Sequence, residues 1–133
     1  MDTTPNGRAD RLLGRIASAL LAEQAAKGVP WDGLAVVTIV APGTSSYSGY
    51  VYRDGERPVP AGLRSRELHQ LFRGLNEAMR TPGGRTWVTA LLQISRADQR
   101  LAARFEHDDP MRWKVTPRTL ATLPEQMRPT PGR

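Results

Sequence analysis

Two short alternating segments, separated by a turn, constrain the fold of this chain more than any other feature. Apolar residues occupy every second position over residues 88–94 and again over residues 101–105. Because successive side chains of a strand point to opposite faces, this period predicts two strands, each with one apolar face. The connection over residues 96–99 is too short for a helical crossover, so the strands should form an antiparallel hairpin. Arg104 and Glu106 have the opposite parity, which predicts that the second face of the sheet is half solvated.

Two longer segments have the period of an amphipathic helix. The first begins near Asp10 and ends at Gly28 and Pro30, residue types that stop helices. Its apolar stripe comprises Leu12, Leu13, Ile16, Leu20 and Leu21. The second begins at Ser65, which can cap the helix by accepting a hydrogen bond from a backbone N–H of the first turn. Its stripe comprises Leu68, Leu71, Phe72, Leu75 and Met79.

The remaining elements complete an α+β pattern. Residues 34–41 are rich in β-branched side chains and predict a buried strand, and residues 47–53 alternate and predict a second strand. A short helix should begin at Thr116-Pro117 and end near Leu123. The order is helix, strand, strand, helix, strand, strand, short helix. We therefore predict an antiparallel sheet of at least four strands with two main helices packed on it.

The length and the two ends suggest the domain organisation. A chain of 133 residues fits one domain. We expect a flexible N-terminus over residues 1–8, a single α+β domain over residues 9–124 and a flexible C-terminal tail over residues 125–133. The sequence contains no run of about 18 apolar residues, and its first residues lack a basic region followed by an apolar stretch. These features predict a cytoplasmic protein with no membrane partner.

The chain offers few residues for catalysis or metal binding. It has no cysteine, which excludes disulfides, thiol catalysis and cysteine-ligated zinc. His69 and His107 are the two histidines, and neither has further ligands at the spacing that a metal site needs. We expect His69 to lie at the surface of the second helix. His107 stands before two aspartates and is the one candidate for acid–base chemistry. A catalytic role is nevertheless the less favoured interpretation of this residue. The sequence predicts no enzyme activity, no metal and no cofactor.

The net charge of +6 is carried by seventeen arginines and two lysines. Guanidinium groups pair bidentately with carboxylates and phosphates, so the excess suits an acidic protein partner or nucleic acid. Because the arginines are scattered rather than clustered, a coding bias is the simpler explanation of the excess. Tyr47, Tyr50 and Tyr52, followed by Arg53, could stack on single-stranded bases, or they could pack across strands.

The one acidic cluster of this basic chain gives a candidate contact site. Glu106, Asp108 and Asp109 follow the last predicted strand and flank His107, whose parity places it on the inward face. These residues form either a solvated strand end or a contact patch for a basic groove on a partner. Trp113 follows closely, and among the three tryptophans we expect it to be the exposed one. A buried aromatic can anchor an interface, so the predicted partner-binding residues are Glu106, His107, Asp108, Asp109 and Trp113.

The ordered features resemble the YezG-like family of bacterial immunity proteins over residues 10–115. The first amphipathic helix is followed by a residue pair that precedes the first strand. A strand hairpin, the second helix and the last two strands follow in that order. The segments that carry the resemblance are Pro30-Trp31, Tyr50-Val51-Tyr52-Arg53-Asp54-Gly55, Leu75-Asn76-Glu77-Ala78-Met79-Arg80, the strand from Trp87 to Ile94, and Leu101 to Phe105 with Glu106-His107-Asp108-Asp109.

The resemblance implies an antitoxin that binds and neutralises a cognate toxin, often a nuclease, by stoichiometric protein–protein contact. Inhibitors of basic nucleases are often acidic, because charge complementarity steers association. This chain is basic, so either its toxin is acidic or the contact is made by the cluster at residues 106–109. A small nucleic-acid-binding protein that uses the arginines and tyrosines is the alternative.

Overall fold

The computed structural model describes residues 7–130, which form an α+β fold with a five-stranded antiparallel sheet. The elements in chain order are α1 (Gly7–Ala26), β1 (Gly33–Ala41), β2 (Thr44–Tyr52), β3 (Val59–Pro60), α2 (Arg66–Ala78), β4 (Thr89–Ser95), β5 (Leu101–Glu106) and α3 (Leu123–Gln126). The predicted fold class is confirmed. The two-residue strand β3 was not predicted, because Pro58 and Pro60 mark its segment as a loop.

The sheet has the strand order β3-β2-β1-β4-β5, and all neighbours are antiparallel. The predicted hairpin of β4 and β5 is confirmed, with Ile94 opposite Leu101 and Ala90 opposite Phe105. The hairpin of β1 and β2 pairs Gly33 with Tyr52. Strand β1 lies at the centre, and β5 forms one edge of the sheet.

The two main helices cover one face of the sheet and bury the apolar side chains that point to that face. Ile16 and Leu20 of α1 and Leu68, Phe72 and Leu75 of α2 are fully buried against residues of β1 and β4. The Ser65 hydroxyl accepts a hydrogen bond from the Leu68 backbone N–H, so the predicted N-cap of α2 is confirmed. None of the described helices is long and apolar enough to cross a bilayer.

The opposite face of the sheet is covered by irregular chain that follows β5. Trp113, Met127 and the partly buried Val115 and Leu123 pack against Ala35, Val37, Tyr52 and Leu91. The expectation of a half-solvated second face is therefore wrong for the centre of the sheet. The physical reason is that β1 and β4 carry apolar side chains at both parities, so both of their faces need cover.

The C-terminal segment differs from its prediction in two ways. Residues 117–122 form turns closed by bonds between residues three apart, from the Thr119 N–H to the Thr116 carbonyl and from the Thr122 N–H to the Thr119 carbonyl, and the helix begins only at Leu123. The tail expected over residues 125–133 is packed as far as Pro129, and residues 131–133 lie outside the described residues. Met127 is 2% exposed, and the Gln93 amide donates to its backbone carbonyl at 2.7 Å.

The start of the chain also differs from its prediction. Gly7 and Arg8, placed in a flexible segment over residues 1–8, belong to α1. The first six residues of that segment lie outside the described residues.

Candidate functional site

The five predicted partner-binding residues lie together where β5 ends, in a segment that we call the β5 turn (residues 106–113). The turn is organised by side chains that accept backbone hydrogen bonds. One oxygen of Glu106 accepts from the N–H groups of Asp108 and Asp109, at 3.0 and 3.2 Å. Asp109 accepts from the Met111 N–H at 2.9 Å. Such side-chain bonds replace the strand ladder, and they terminate β5.

Glu106 supports the turn and contributes little free surface to it. Its other carboxylate oxygen accepts from the Arg112 guanidinium at 2.8 Å, and its side chain is 16% exposed. The backbone N–H of Asp108, then that of Asp109 and then Arg112 hold the pKa of the Glu106 carboxyl below its usual range. The carboxylate is therefore occupied within the chain.

We expect this arrangement to make stability depend on acid. Because folding lowers the pKa of Glu106, its ionised form stabilises the protein above the unfolded-state pKa, near 4.5, and this contribution is lost as the pH falls through the lower folded pKa. The unfolding free energy of Glu106→Gln should fall less than that of the parent between pH 7 and pH 3. Urea denaturation at each pH measures this, and parallel curves for the two proteins would contradict it.

His107, Asp108 and Asp109 are exposed, and so are residues 110–112 of the β5 turn. The inward position predicted for His107 is wrong, because β5 ends at Glu106 and the strand parity does not continue. Asp108 lies 3.5 Å from Arg85, but both side chains are mostly exposed, so the pair is weak. Over residues 7–130, no three or more histidine and acidic side chains are grouped so that they could hold a metal ion.

Trp113 is buried, so the prediction that it is exposed is wrong. It is 5% exposed and packs with residues of β1, β2 and β4 on the second face of the sheet. We call this cluster of Ala35, Val37, Tyr52, Leu91, Trp113 and Met127 the second core. The guanidinium groups of Arg104 and Arg112 lie over its ring, 5.7 and 4.8 Å from the centroid. We call this arrangement the Arg–Trp–Arg stack. It presents cations to solvent and keeps the aromatic ring below them.

The surface around the β5 turn is consequently not acidic. Three carboxylates stand among four cations: Arg85, Arg104, Arg112 and Lys114. Two of the carboxylates hold turn amides. Arg104 is exposed and makes no ion pair with any described residue. Among the described residues here, the Arg104 guanidinium, the Lys114 ammonium and the Asp108 carboxylate stay exposed without a strong ionic partner, so most of the free charge is positive.

The three tyrosines do not form an open platform for bases. Tyr47 is half-buried, and its hydroxyl donates to the Ser65 carbonyl at 2.8 Å. Tyr52 is buried, its hydroxyl donates to the Pro124 carbonyl at 2.6 Å, and burial raises its pKa above the ordinary value. Tyr50 packs on the second core. Cross-strand and core packing therefore accounts for these residues.

One polar pair escaped the sequence analysis. The Ser45 hydroxyl lies 3.0 Å from Nδ1 of His69, and the imidazole packs on Tyr47 with ring centroids 4.7 Å apart. His69 is thus half-buried rather than at the surface. A catalytic triad needs a hydroxyl next to an imidazole and a carboxylate that orients the imidazole. No described carboxylate forms an ion pair with this ring. The pair links β2 to α2.

No protein-family model matches the chain, and no curated protein matches it either. The likeness to YezG-like immunity proteins therefore rests on the residues quoted from the sequence.

A cavity of about 330 Å³ lies at the opposite end of the sheet from the β5 turn. Its wall includes Asp32, Asp54, Ser95 and Arg128. The guanidinium of Arg128 is occupied by the Glu125 carboxylate and by backbone carbonyls, and it lies 5.0 Å from the ring centroid of Tyr52. This cation fixes the C-terminal segment to the sheet and is not free for a ligand.

Proposed function

We propose that this protein is an immunity protein that binds a cognate bacterial toxin, such as a nuclease, one-to-one and neutralises it. The class comes from the resemblance over residues 10–115. The observation that supports a contact surface is the Arg–Trp–Arg stack beside the β5 turn. The residues of the stack lie within the range that carries the resemblance.

The stack favours binding because it prepares a guanidinium before the partner arrives. A free arginine side chain loses rotamer entropy when it is immobilised, and stacking on a rigid ring reduces that cost. Arg104 is exposed and has no carboxylate partner among the described residues. A guanidinium held in this way pairs bidentately with a carboxylate. The toxin surface that contacts this protein should therefore be acidic.

The predicted site residues divide into two roles under this proposal. His107 and Asp108 are exposed and contact the toxin together with Arg104 and Arg112. Glu106, Asp109 and Trp113 hold the β5 turn and the stack in place, the first two through bonds to backbone N–H groups and Trp113 from the core beneath. This differs from an acidic patch that meets a basic groove, because the dominant contact charge is positive.

Nucleic acid is the alternative partner, since phosphates also suit a guanidinium. The tyrosines do not favour it, because Tyr52 is buried and Tyr47 and Tyr50 are partly buried against the two cores. Retention on DNA or RNA at physiological salt, in the absence of toxin binding, would favour this alternative.

Protection of cells tests the proposal. The probe is the toxin domain encoded beside the gene of this protein, expressed together with the parent, Arg104→Glu or Arg57→Glu. Arg57 is an exposed residue near the opposite edge of the sheet and gives a control with the same charge change. We expect the parent and Arg57→Glu to protect, and Arg104→Glu to fail because like charges would face each other. A parent that gives no protection, or an Arg104→Glu variant that protects fully, would contradict the proposal.

A further inference from the structure

The outer edge of β5 is open. In the strand order, β5 has a neighbour on one side only. A strand in this position leaves half of its backbone N–H and C=O groups without a ladder partner. Among the described residues, no backbone hydrogen bond outside the sheet ladder involves residues 101–105. Natural edge strands are often protected by proline, and this one has none.

The register identifies which backbone groups point outward. The Val40 N–H donates to the Val88 carbonyl, so the even-numbered residues of β4 bond to β1. The odd-numbered residues of β4 therefore bond to their partners in β5, which are Ala102, Arg104 and Glu106. The N–H and C=O groups of Leu101, Ala103 and Phe105 consequently face away from the sheet.

We propose that this edge pairs with the same strand of a second copy, antiparallel, about a two-fold axis at Ala103. In this register Ala103 faces Ala103 of the second copy, and Leu101 faces Phe105 of the second copy. All three outward residues of each strand then exchange both of their backbone hydrogen bonds. Shifting the register by two residues in either direction leaves at least one of them unpaired. The self-complementary contact closes as a dimer.

The side chains agree with the same register on both faces of the extended sheet. On the helix side, half-buried Leu101 and Phe105 form two apolar pairs, and small Ala103 leaves room for its copy at the axis. On the other side, Arg100 precedes the strand and faces Glu106 of the second copy, where it would share the carboxylate oxygen that already accepts from Arg112. Arg100 forms no ion pair with any described residue, so it is available for this contact.

The dimer should be weak and should respond to salt in a characteristic way. A strand of six residues spans about 20 Å, which gives an interface below the usual size of stable complexes. Each copy carries a net charge of +6, so the copies repel each other at low ionic strength. Added salt should strengthen the dimer, whereas it should weaken contact with an acidic toxin. The two interactions are therefore distinguishable, and either can fail without the other.

Sedimentation equilibrium of the full chain over a wide concentration range tests the pairing. The apparent mass should rise above the monomer value of 14.7 kDa with concentration, and rise further at high salt. Ala103→Pro removes an outward N–H at the axis and leaves the ladder to β4 intact, so it should remain monomeric. Arg100→Glu should weaken the dimer about tenfold, because two like-charge pairs replace two opposite ones. Arg96→Glu, with the same charge change in the preceding turn, should dimerise like the parent.

Amide exchange followed by NMR locates the contact. With increasing concentration, the amides of Leu101, Ala103 and Phe105 should become protected, while those of Ala102 and Arg104 should be protected at every concentration. A protein that stays monomeric at the highest concentration would overturn the inference. So would a dimer in which Ala103→Pro and Arg100→Glu associate like the parent.

Discussion

Replacing Trp113 with alanine should lower the unfolding free energy by about 3–5 kcal/mol. The indole is 5% exposed and packs against Ala35, Val37 and Leu91, so its removal leaves a cavity under the second face of the sheet. It also removes the ring on which Arg104 and Arg112 lie. Urea denaturation at neutral pH, followed by circular dichroism, measures the change.

Met111→Ala is the matched control for this prediction. Met111 stands in the same turn but is 50% exposed, so its truncation should change stability by no more than about 0.5 kcal/mol. Equal stabilities of the parent and Trp113→Ala would show that the ring is not part of the core. If the predicted loss is found, a Trp113 variant that fails to bind a toxin reports unfolding as well as lost contact, and Arg104 is the better probe.

Replacing Met127 with alanine should lower the unfolding free energy by about 2–5 kcal/mol. Its side chain is 2% exposed and fills the second core beside Trp113 and Tyr52, and its carbonyl accepts from the Gln93 amide. Thermal and urea denaturation of the variant measure the loss. The same residue falls within the tail that the sequence alone suggests is flexible.

Gln126→Ala provides the control, because Gln126 is the exposed neighbour in α3. It should unfold at almost the same urea concentration as the parent. A Met127→Ala variant as stable as Gln126→Ala would mean that the C-terminal segment does not contribute to the fold in solution.

The elements that the sequence predicts correctly are those with a regular period. Alternation over residues 88–94 and 101–105 places the β4–β5 hairpin, because a strand with one buried face repeats every two residues. The apolar stripe from Leu68 to Leu75 and the N-cap at Ser65 predict α2 correctly, because both are local features of a helical sequence. Here the local pattern and the packed structure agree.

The segment that packs on the second face of the sheet has no regular period in its sequence. Residues 113–122 form turns and irregular chain, and the four-residue helix α3 that follows is too short to show a period, so the buried residues of this segment resemble a loop and a tail. Burial of Trp113 and Met127 depends on apolar residues of β1 and β4 that are distant in sequence. A stronger hint was available in β1, whose continuous apolar run predicts a strand that is covered on both faces.

The predicted site residues are neighbours in space, but their roles depend on contacts that composition cannot indicate. An acidic cluster in the sequence becomes a turn because Glu106 and Asp109 accept backbone N–H groups. The Arg–Trp–Arg stack brings together residues from β5 and from the chain after it. The Ser45–His69 pair joins residues 24 positions apart, in elements whose packing sets their distance.

Titration of the toxin domain encoded beside this gene into the parent, Arg104→Glu and Arg57→Glu decides whether the protein binds a toxin through the Arg–Trp–Arg stack. We expect one-to-one binding by the parent and by Arg57→Glu with similar Kd values, and binding by Arg104→Glu that is weaker by about thirtyfold or more. The Kd of the parent should also rise with salt, since the contact is between a guanidinium and an acidic surface. Equal Kd values for all three proteins would contradict the assigned surface. A parent that ignores the toxin domain but holds a random-sequence single-stranded oligonucleotide at physiological salt would contradict the proposed function.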